Sequence, residues 1–181
     1  MIRRINLFGG PGSTKSTVAA GVYANLRTKG VDIELIQEYI KTWAYEDKKC
    51  ISFDQLYVFS KQLHAEDILL RSGVKFIIND SPTLMQLAYV QEYGKVPLFE
   101  ELQRIEALFE KTYPSLSIWL ERGDIPYDRS GRYETYEAAL HMDEVIKSVL
   151  EGVGRRYYTV GGSGESRIAQ TCSEIEKHIE L

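Results

Sequence analysis

The stretch GGPGSTKST, Gly9 to Thr17, holds the residues best arranged to do chemistry. It nearly fits G-x-x-x-x-G-K-[ST], the loop that cradles nucleotide phosphates, but Thr14 stands where the second glycine belongs. Glycines let a backbone wrap phosphate oxygens, and the helix that follows adds its positive end. On this reading Gly10, Pro11, Gly12, Ser13, Thr14, Lys15, Ser16 and Thr17 bind the nucleotide. Lys15 bridges the β- and γ-phosphate oxygens, and the Ser16 hydroxyl holds Mg²⁺. The competing reading is a glycine-rich turn that caps a helix and leaves the lysine solvated. A strand before the loop and a helix after it argue against that. Thr14 is β-branched, which costs backbone freedom. Because the position opens the helix, where other residues fit, the expectation is reduced permissiveness with the site retained. Thr14→Gly should then preserve or raise ATP affinity.

Two acids stand where strands should end. Glu38, in QEYIKTW, can orient or deprotonate a hydroxyl attacking the γ-phosphate, although a helix-cap or surface acid is the alternative. Asp80, in FIINDSP, follows an apolar strand and suits a metal-side acid; it could also cap the helix that Pro82 begins. The polar stretch ERGDIPYDRSGRYET, from Glu121 to Thr135, carries Arg122, Arg129 and Arg132. Guanidinium forks suit the charge that phosphoryl transfer spreads over oxygens, and a loop closing only on substrate would exclude water. Arg129 and Arg132 sit deepest in it, while solvated surface arginines are the alternative. Glycines of GGSGES, from Gly161 to Ser166, fit close approach to an adenine ring or a plain N-cap by Ser163 equally well.

An acceptor should lie after the second and third strands, where Tyr39, Trp43, Tyr57, Phe59, His64, Gln86 and Tyr89 cluster. Aromatics stack on bases, and an amide such as Gln86 can read a base edge. Tyr39, Trp43, Tyr57 and Gln86 are the substrate candidates, against the alternative that aromatics at helical spacing are core. His64 reads as a structural histidine.

These groups need a frame of strands and helices. Strands are expected at Ile2–Phe8, Asp32–Gln37, Val74–Ile78, Ser115–Leu120 and Arg156–Val160, with helices between them. Lys15–Thr28 forms the first helix. Ser52 and Gln55 fit a capping box before a stripe of Leu56, Phe59, Leu63 and Leu70 that Gly73 ends. Leu98, Leu102, Ile105 and Phe109 form another stripe, Tyr136–Leu150 another helix, and Ile168, Cys172, Ile175 and Ile179 the last. Alternating strands and helices imply an α/β fold with a parallel sheet of about five strands and helices on both faces, with ligands beyond the strands' C-terminal ends.

The 181 residues, 27% charged and 44% hydrophobic, fit one domain over 1–181 with a lid at about 121–135. A net charge of −4 argues against a generic basic nucleic-acid surface. Cys50 and Cys172 read as free thiols. No apolar run approaches the ~20 residues that span a membrane, and the N-terminus shows no cleavage site, so a cytoplasmic protein with no membrane partner is expected.

The sequence resembles the nicotinamide-riboside-kinase-like group of P-loop kinases, which includes many phage-encoded small kinases. The resemblance rests on FGGPGSTKST, QEYIKTW, SFDQLYVFSKQ, KFIINDSP with AYVQEYG, and YPSLSIWLERGDIPYDRSGRYE. It implies a three-layer P-loop kinase sandwich with strand order 2-3-1-4-5, and transfer of the γ-phosphate of ATP with Mg²⁺. It assigns Lys15 and Ser16 to the phosphate loop, Glu38 to the substrate side, Asp80 to the metal side, and Arg129 and Arg132 to the lid. No guanine-selecting N-K-x-D run occurs, and the length argues against an AAA+ core with its helical lid domain. Three readings follow: a kinase for a free nucleoside or nucleotide, a kinase for a hydroxymethylpyrimidine within DNA, and an ATP-binding regulatory module. The acidic balance favours the first over the second, though Lys41, Lys48, Lys49 and Lys61 leave a local basic track near the acceptor.

Overall fold

The computed structural model describes residues 1–94, 96–123, 126–128 and 133–179. Its elements run β1 (Arg4–Phe8), α1 (Lys15–Thr28), β2 (Ile33–Ile36), α2 (Lys41–Tyr45), α3 (Asp54–Arg71) and β3 (Phe76–Asn79). They continue with α4 (Thr83–Tyr93), α5 (Val96–Thr112), β4 (Ser115–Leu120), α6 (Tyr136–Gly152), β5 (Tyr158–Val160) and α7 (Gly164–Glu176). Every strand pairing is parallel, and the five-stranded sheet is ordered β2-β3-β1-β4-β5. β3, which Asp80 follows, therefore lies directly beside β1, whose end opens the glycine loop.

Both faces of the sheet are covered, as is usual for parallel sheets. Ile5 and Leu7 face one side with Ile33, Ile78, Ile118 and Val160, where α1 and α7 close the core through Val18, Val22, Leu26, Cys172 and Ile175. Phe8 and Trp119 face the other, under Phe59 of α3, Leu87 of α4, Leu102 of α5 and Met142 of α6. On that second face Arg4, wholly buried, pairs with Glu66 at 3.1 Å and with Glu110, while Arg155 reaches Glu106 at 3.3 Å. Glu66 also accepts the backbone N–H of Thr83 at 3.2 Å. It thus satisfies one orphan donor at the start of α4, immediately after the loop that carries Asp80.

Several expectations change. The Ser52–Gln55 capping box does not form: Ser52 has φ 54, α3 starts at Asp54, and the Asp54 carboxylate accepts the Ile51 N–H at 3.0 Å. Leu56 is exposed on α3, while Gln55, Val58, Phe59, Gln62, Glu66 and Leu70 are buried. Likewise Ile105 is exposed on α5, and its neighbour Glu106 is buried by Arg155 and Arg4. Phe59, Leu63, Leu70, Leu98, Leu102 and Phe109 pack inward as their spacing implies, and only Leu56 and Ile105 fall outside, because buried ion pairs share those faces. His64 lies on the exposed side of α3. Ser163 holds the N-cap position of α7 without a side-chain cap bond. Cys50 and Cys172 are free thiols. No helix among the described residues is long and apolar enough to cross a membrane.

Candidate active site

The loop after β1 keeps the shape its glycines allow. Gly12 has φ +81, and a Cβ there would meet the Tyr127 ring at 2.6 Å. A Cβ on Gly10 would stand 2.7 Å from the Ala139 carbonyl. The loop is gripped from α6: the Gly10 N–H donates to Asp143 Oδ1 at 2.5 Å. Arg122 donates to Asp143 Oδ2 at 2.8 Å and to the Pro11 carbonyl at 2.8 Å. Arg122 is thus a buried clamp on the loop, distinct from a lid cation. Asp143 escaped the sequence reading, yet an acid between Ala139, Met142 and Ile146 on a buried helix face was the available clue.

Thr14 does not open the helix in helical geometry. It is the N-cap of α1 in the left-handed region, φ 66 and ψ 18, which explains why glycine suits this position. Lys15 folds back onto its own loop, donating to the carbonyls of Gly9 at 2.6 Å and Gly10 at 3.0 Å. Burial lowers its ammonium pKa, against the opposing pull of Glu38, Asp80 and Asp143.

Asp80 is almost wholly buried at the end of β3. Burial pushes its carboxyl up, while a hydrogen bond from Ser16 and the charges of Lys15 and Lys41 pull it down. Its Oδ1 has no hydrogen-bond partner, and neither does the buried Ser13 Oγ in the loop. Buried polar atoms are seldom left unsatisfied, so these two, with the Ser16 hydroxyl beside Asp80, fit a bound phosphate and a hard divalent cation such as Mg²⁺. Asp80 is not the N-cap of α4; Pro82 is.

Lys15 and Glu38 line one cavity of about 560 Å³, together with Gln55, Gln86, Tyr89, Tyr93, Tyr133 and Glu134. That volume lies within the roughly 300–1,000 Å³ of small-molecule sites. Burial raises the Glu38 carboxyl, partly offset by Lys15. Glu38 accepts a hydrogen bond from Ser81 at 3.3 Å, and Ser81 accepts one from Gln86 Nε2 at 3.2 Å. Gln86 is thereby oriented, its Nε2 committed to Ser81. Gln55 is 8% exposed, and its Oε1 is buried with no partner. Lys41, Lys49 and Cys50 also border the cavity.

Of the predicted substrate residues, Gln86 lines this cavity. Tyr39, Trp43 and Tyr57 instead pack on one another, with the Tyr39 and Tyr57 hydroxyls 2.8 Å apart and the Trp43 and Tyr57 rings stacked at 6.1 Å. Lys48 lies over the Trp43 ring at 3.4 Å. Tyr93, Tyr133 and Glu134 carry no signal in the sequence that marks them for this cavity, and Gln55 carries only a capping signal. All four come together only in the folded chain. Arg129 and Arg132 lie outside the described residues. The Tyr133 hydroxyl donates to the Lys48 carbonyl, which brings the segment before α6 against the segment after α2.

Sheet order, phosphate loop and adjoining cavity together define a P-loop domain with a nucleoside-kinase-like fold. Residues 4–167 match the family AAA_28, described as an AAA domain, and the chain belongs to that family. The sequence reading, which set an AAA+ core aside on length, did not foresee this. Among solved structures, the chain is similar to NadR protein in complex with NAD and AMP-PNP, with a TM-score of 0.73 and 13% identity over 99% of this chain and 51% of that one. NadR in complex with NR gives 0.72 and 12% over the same shares. The chain therefore spans about half the length of NadR. Deoxyadenosine kinase from M. mycoides, with products dCMP and a flexible dCDP bound, gives 0.57 and 14% over 96% of this chain and 97% of that one. A search of curated proteins gave no match.

Proposed function

We propose that the chain is an ATP-dependent phosphotransferase that carries the γ-phosphate of ATP to a hydroxyl of a nucleoside- or nucleotide-like acceptor. One observation carries this reading: Lys15 of the phosphate loop and the desolvated Glu38 carboxylate face the same cavity. Gly10 to Thr17 take the triphosphate, and Lys15 exchanges the Gly9 and Gly10 carbonyls for β- and γ-phosphate oxygens. Ser16 and Asp80 would hold Mg²⁺, which would supply positive charge against the phosphates. Glu38 orients the acceptor hydroxyl and takes its proton as the oxygen bonds to the γ-phosphorus and the bond to the β–γ bridging oxygen breaks, releasing ADP. Ser81 and Gln86 hold Glu38 in place. Gln55 and Gln86 meet the polar edge of the acceptor between Tyr89, Tyr93 and Tyr133. Arg129 and Arg132 supply lid cations. The similar folds bind, by their own descriptions, NR, NAD, AMP-PNP, dCMP and dCDP.

The test incubates the protein with labelled ATP, Mg²⁺ and a panel of nucleosides, nucleotides and hydroxymethylated DNA. A free nucleoside or nucleotide should be labelled, and Glu38→Gln should abolish labelling. Labelling of DNA alone, falling steeply with salt, would instead select a base within DNA as acceptor. ATP hydrolysis with no acceptor labelled, and unchanged in Glu38→Gln, would select a regulatory ATP-binding module.

A further inference from the structure

We propose that Thr14 and Arg167 form a positioning pair that sets the phosphate loop, so that the residue departing from the glycine pattern is the one that fastens it. The inference rests on the reading of Gly9–Thr17 as a nucleotide site. A left-handed backbone is costly for a β-branched side chain, so Thr14 at φ 66 needs a compensating contact. It has one. Arg167 Nη1 donates to Thr14 Oγ1 at 3.1 Å and to the Ser13 carbonyl at 3.0 Å. The same guanidinium donates through Nε to the Gly161 carbonyl at 3.3 Å, and through Nη2 to the Glu121 carbonyl.

Three segments are joined in this way: the phosphate loop, the end of β4 and the loop after β5. All three lie at the edge of the sheet where ligands of such folds collect. Arg167 is wholly buried, and its hydrogen bonds run to uncharged oxygens. Desolvating a guanidinium is expensive, and here it is met by four oriented acceptors. With glycine at position 14 the loop would lose the hydroxyl anchor next to Lys15, and the freed backbone would have to be ordered when phosphate binds. Removing the strain therefore costs affinity, the reverse of what the glycine pattern alone expects.

The experiment measures dissociation constants of the full chain for ADP and for adenosine, alongside the melting temperature without nucleotide. Thr14→Gly should weaken ADP about tenfold, the cost of ordering one freed backbone residue when phosphate binds, and leave adenosine unchanged. Thr14→Ser should retain wild-type ADP affinity, and Thr14→Val should fall at least as far as glycine. Arg167→Lys, chosen because alanine would leave a buried void, should weaken ADP similarly, and the double variant Thr14→Gly/Arg167→Lys should be no worse than its worse parent. Two outcomes overturn the pair: Thr14→Gly binding ADP as tightly as wild type, or ADP and adenosine affinities falling together with melting temperature. Lys15→Ala separates the two readings. If wild-type ADP affinity does not depend on Lys15, the nucleotide site itself falls and this pair with it. If it does, and Thr14→Gly is neutral, the pair alone falls.

Discussion

Replacing Asp143 by alanine tests how the phosphate loop is held from behind. Its carboxylate accepts the Gly10 N–H at 2.5 Å and Arg122 Nε at 2.8 Å, and both side chains of the ion pair are about nine-tenths buried. Removing one partner of a buried ion pair costs about 3–5 kcal/mol, because the other charge is left uncompensated. A cleft of about 410 Å³, bordered by Glu121, Arg122, Asp143 and Lys147, lets water reach the vacated place. The lower end, about 3 kcal/mol, is therefore expected, still a large part of the ~5–15 kcal/mol of a typical domain. In urea, with a slope of ~2 kcal/mol per molar, the midpoint should drop by about 1.5 M. Asp143→Asn, which keeps an acceptor but no charge, should lose roughly half as much. The apolar double replacement Arg122→Met/Asp143→Leu should cost less than Asp143→Ala, since no charge is stranded. A midpoint shift under ~0.3 M for Asp143→Ala would refute the clamp.

Other expectations concern the chemistry. Lys15→Ala should abolish ATP turnover by removing the only loop ammonium that can reach phosphate oxygens; turnover at the wild-type rate would sink the phosphate-loop assignment. Burial raises the Glu38 carboxyl above its ordinary 4.5, so the folded protein binds that proton more tightly than the unfolded chain. Stability should then fall as pH climbs from the ordinary carboxylate range through the raised value, and Glu38→Gln should flatten that slope in denaturation curves. The acid limb of kcat/KM for phosphoryl transfer should lie above pH 4.5 for the same reason, and a limb at or below it would contradict a desolvated base. Gln55→Leu removes a buried amide whose Oε1 has no partner, so it should leave stability unchanged or higher while raising the acceptor KM about tenfold. An unchanged KM would remove Gln55 from the acceptor site.

Local rules were enough for much of this chain. The apolar strand, the glycine run and Lys15-Ser16 placed β1, the phosphate loop and α1, and that helix spans Lys15–Thr28 as read. Strand–helix alternation implied the parallel sheet, because parallel strands need crossovers, while the order of its strands came from the family resemblance. Glu38 and Asp80 could be located because ligands collect at the strands' C-terminal ends. What the sequence could not reveal depends on contacts between distant residues. Arg122 meets Asp143, and Arg167 meets Thr14, across separations of 21 and 153 residues, and no periodicity encodes such pairs. Buried charges misled the pattern at Leu56 and Ile105, because hydrophobic spacing assumes an apolar core while Glu66 and Glu106 enter it paired with arginine. The cavity beside the phosphate loop is the same case: Gln55, Gln86 and Tyr133 come from three segments that only the folded sheet brings around Glu38. The sequence by itself determined which backbone could wrap a phosphate. Tertiary structure alone decided what holds that loop still and which side chains face it, because those outcomes depend on burial and on partners far along the chain.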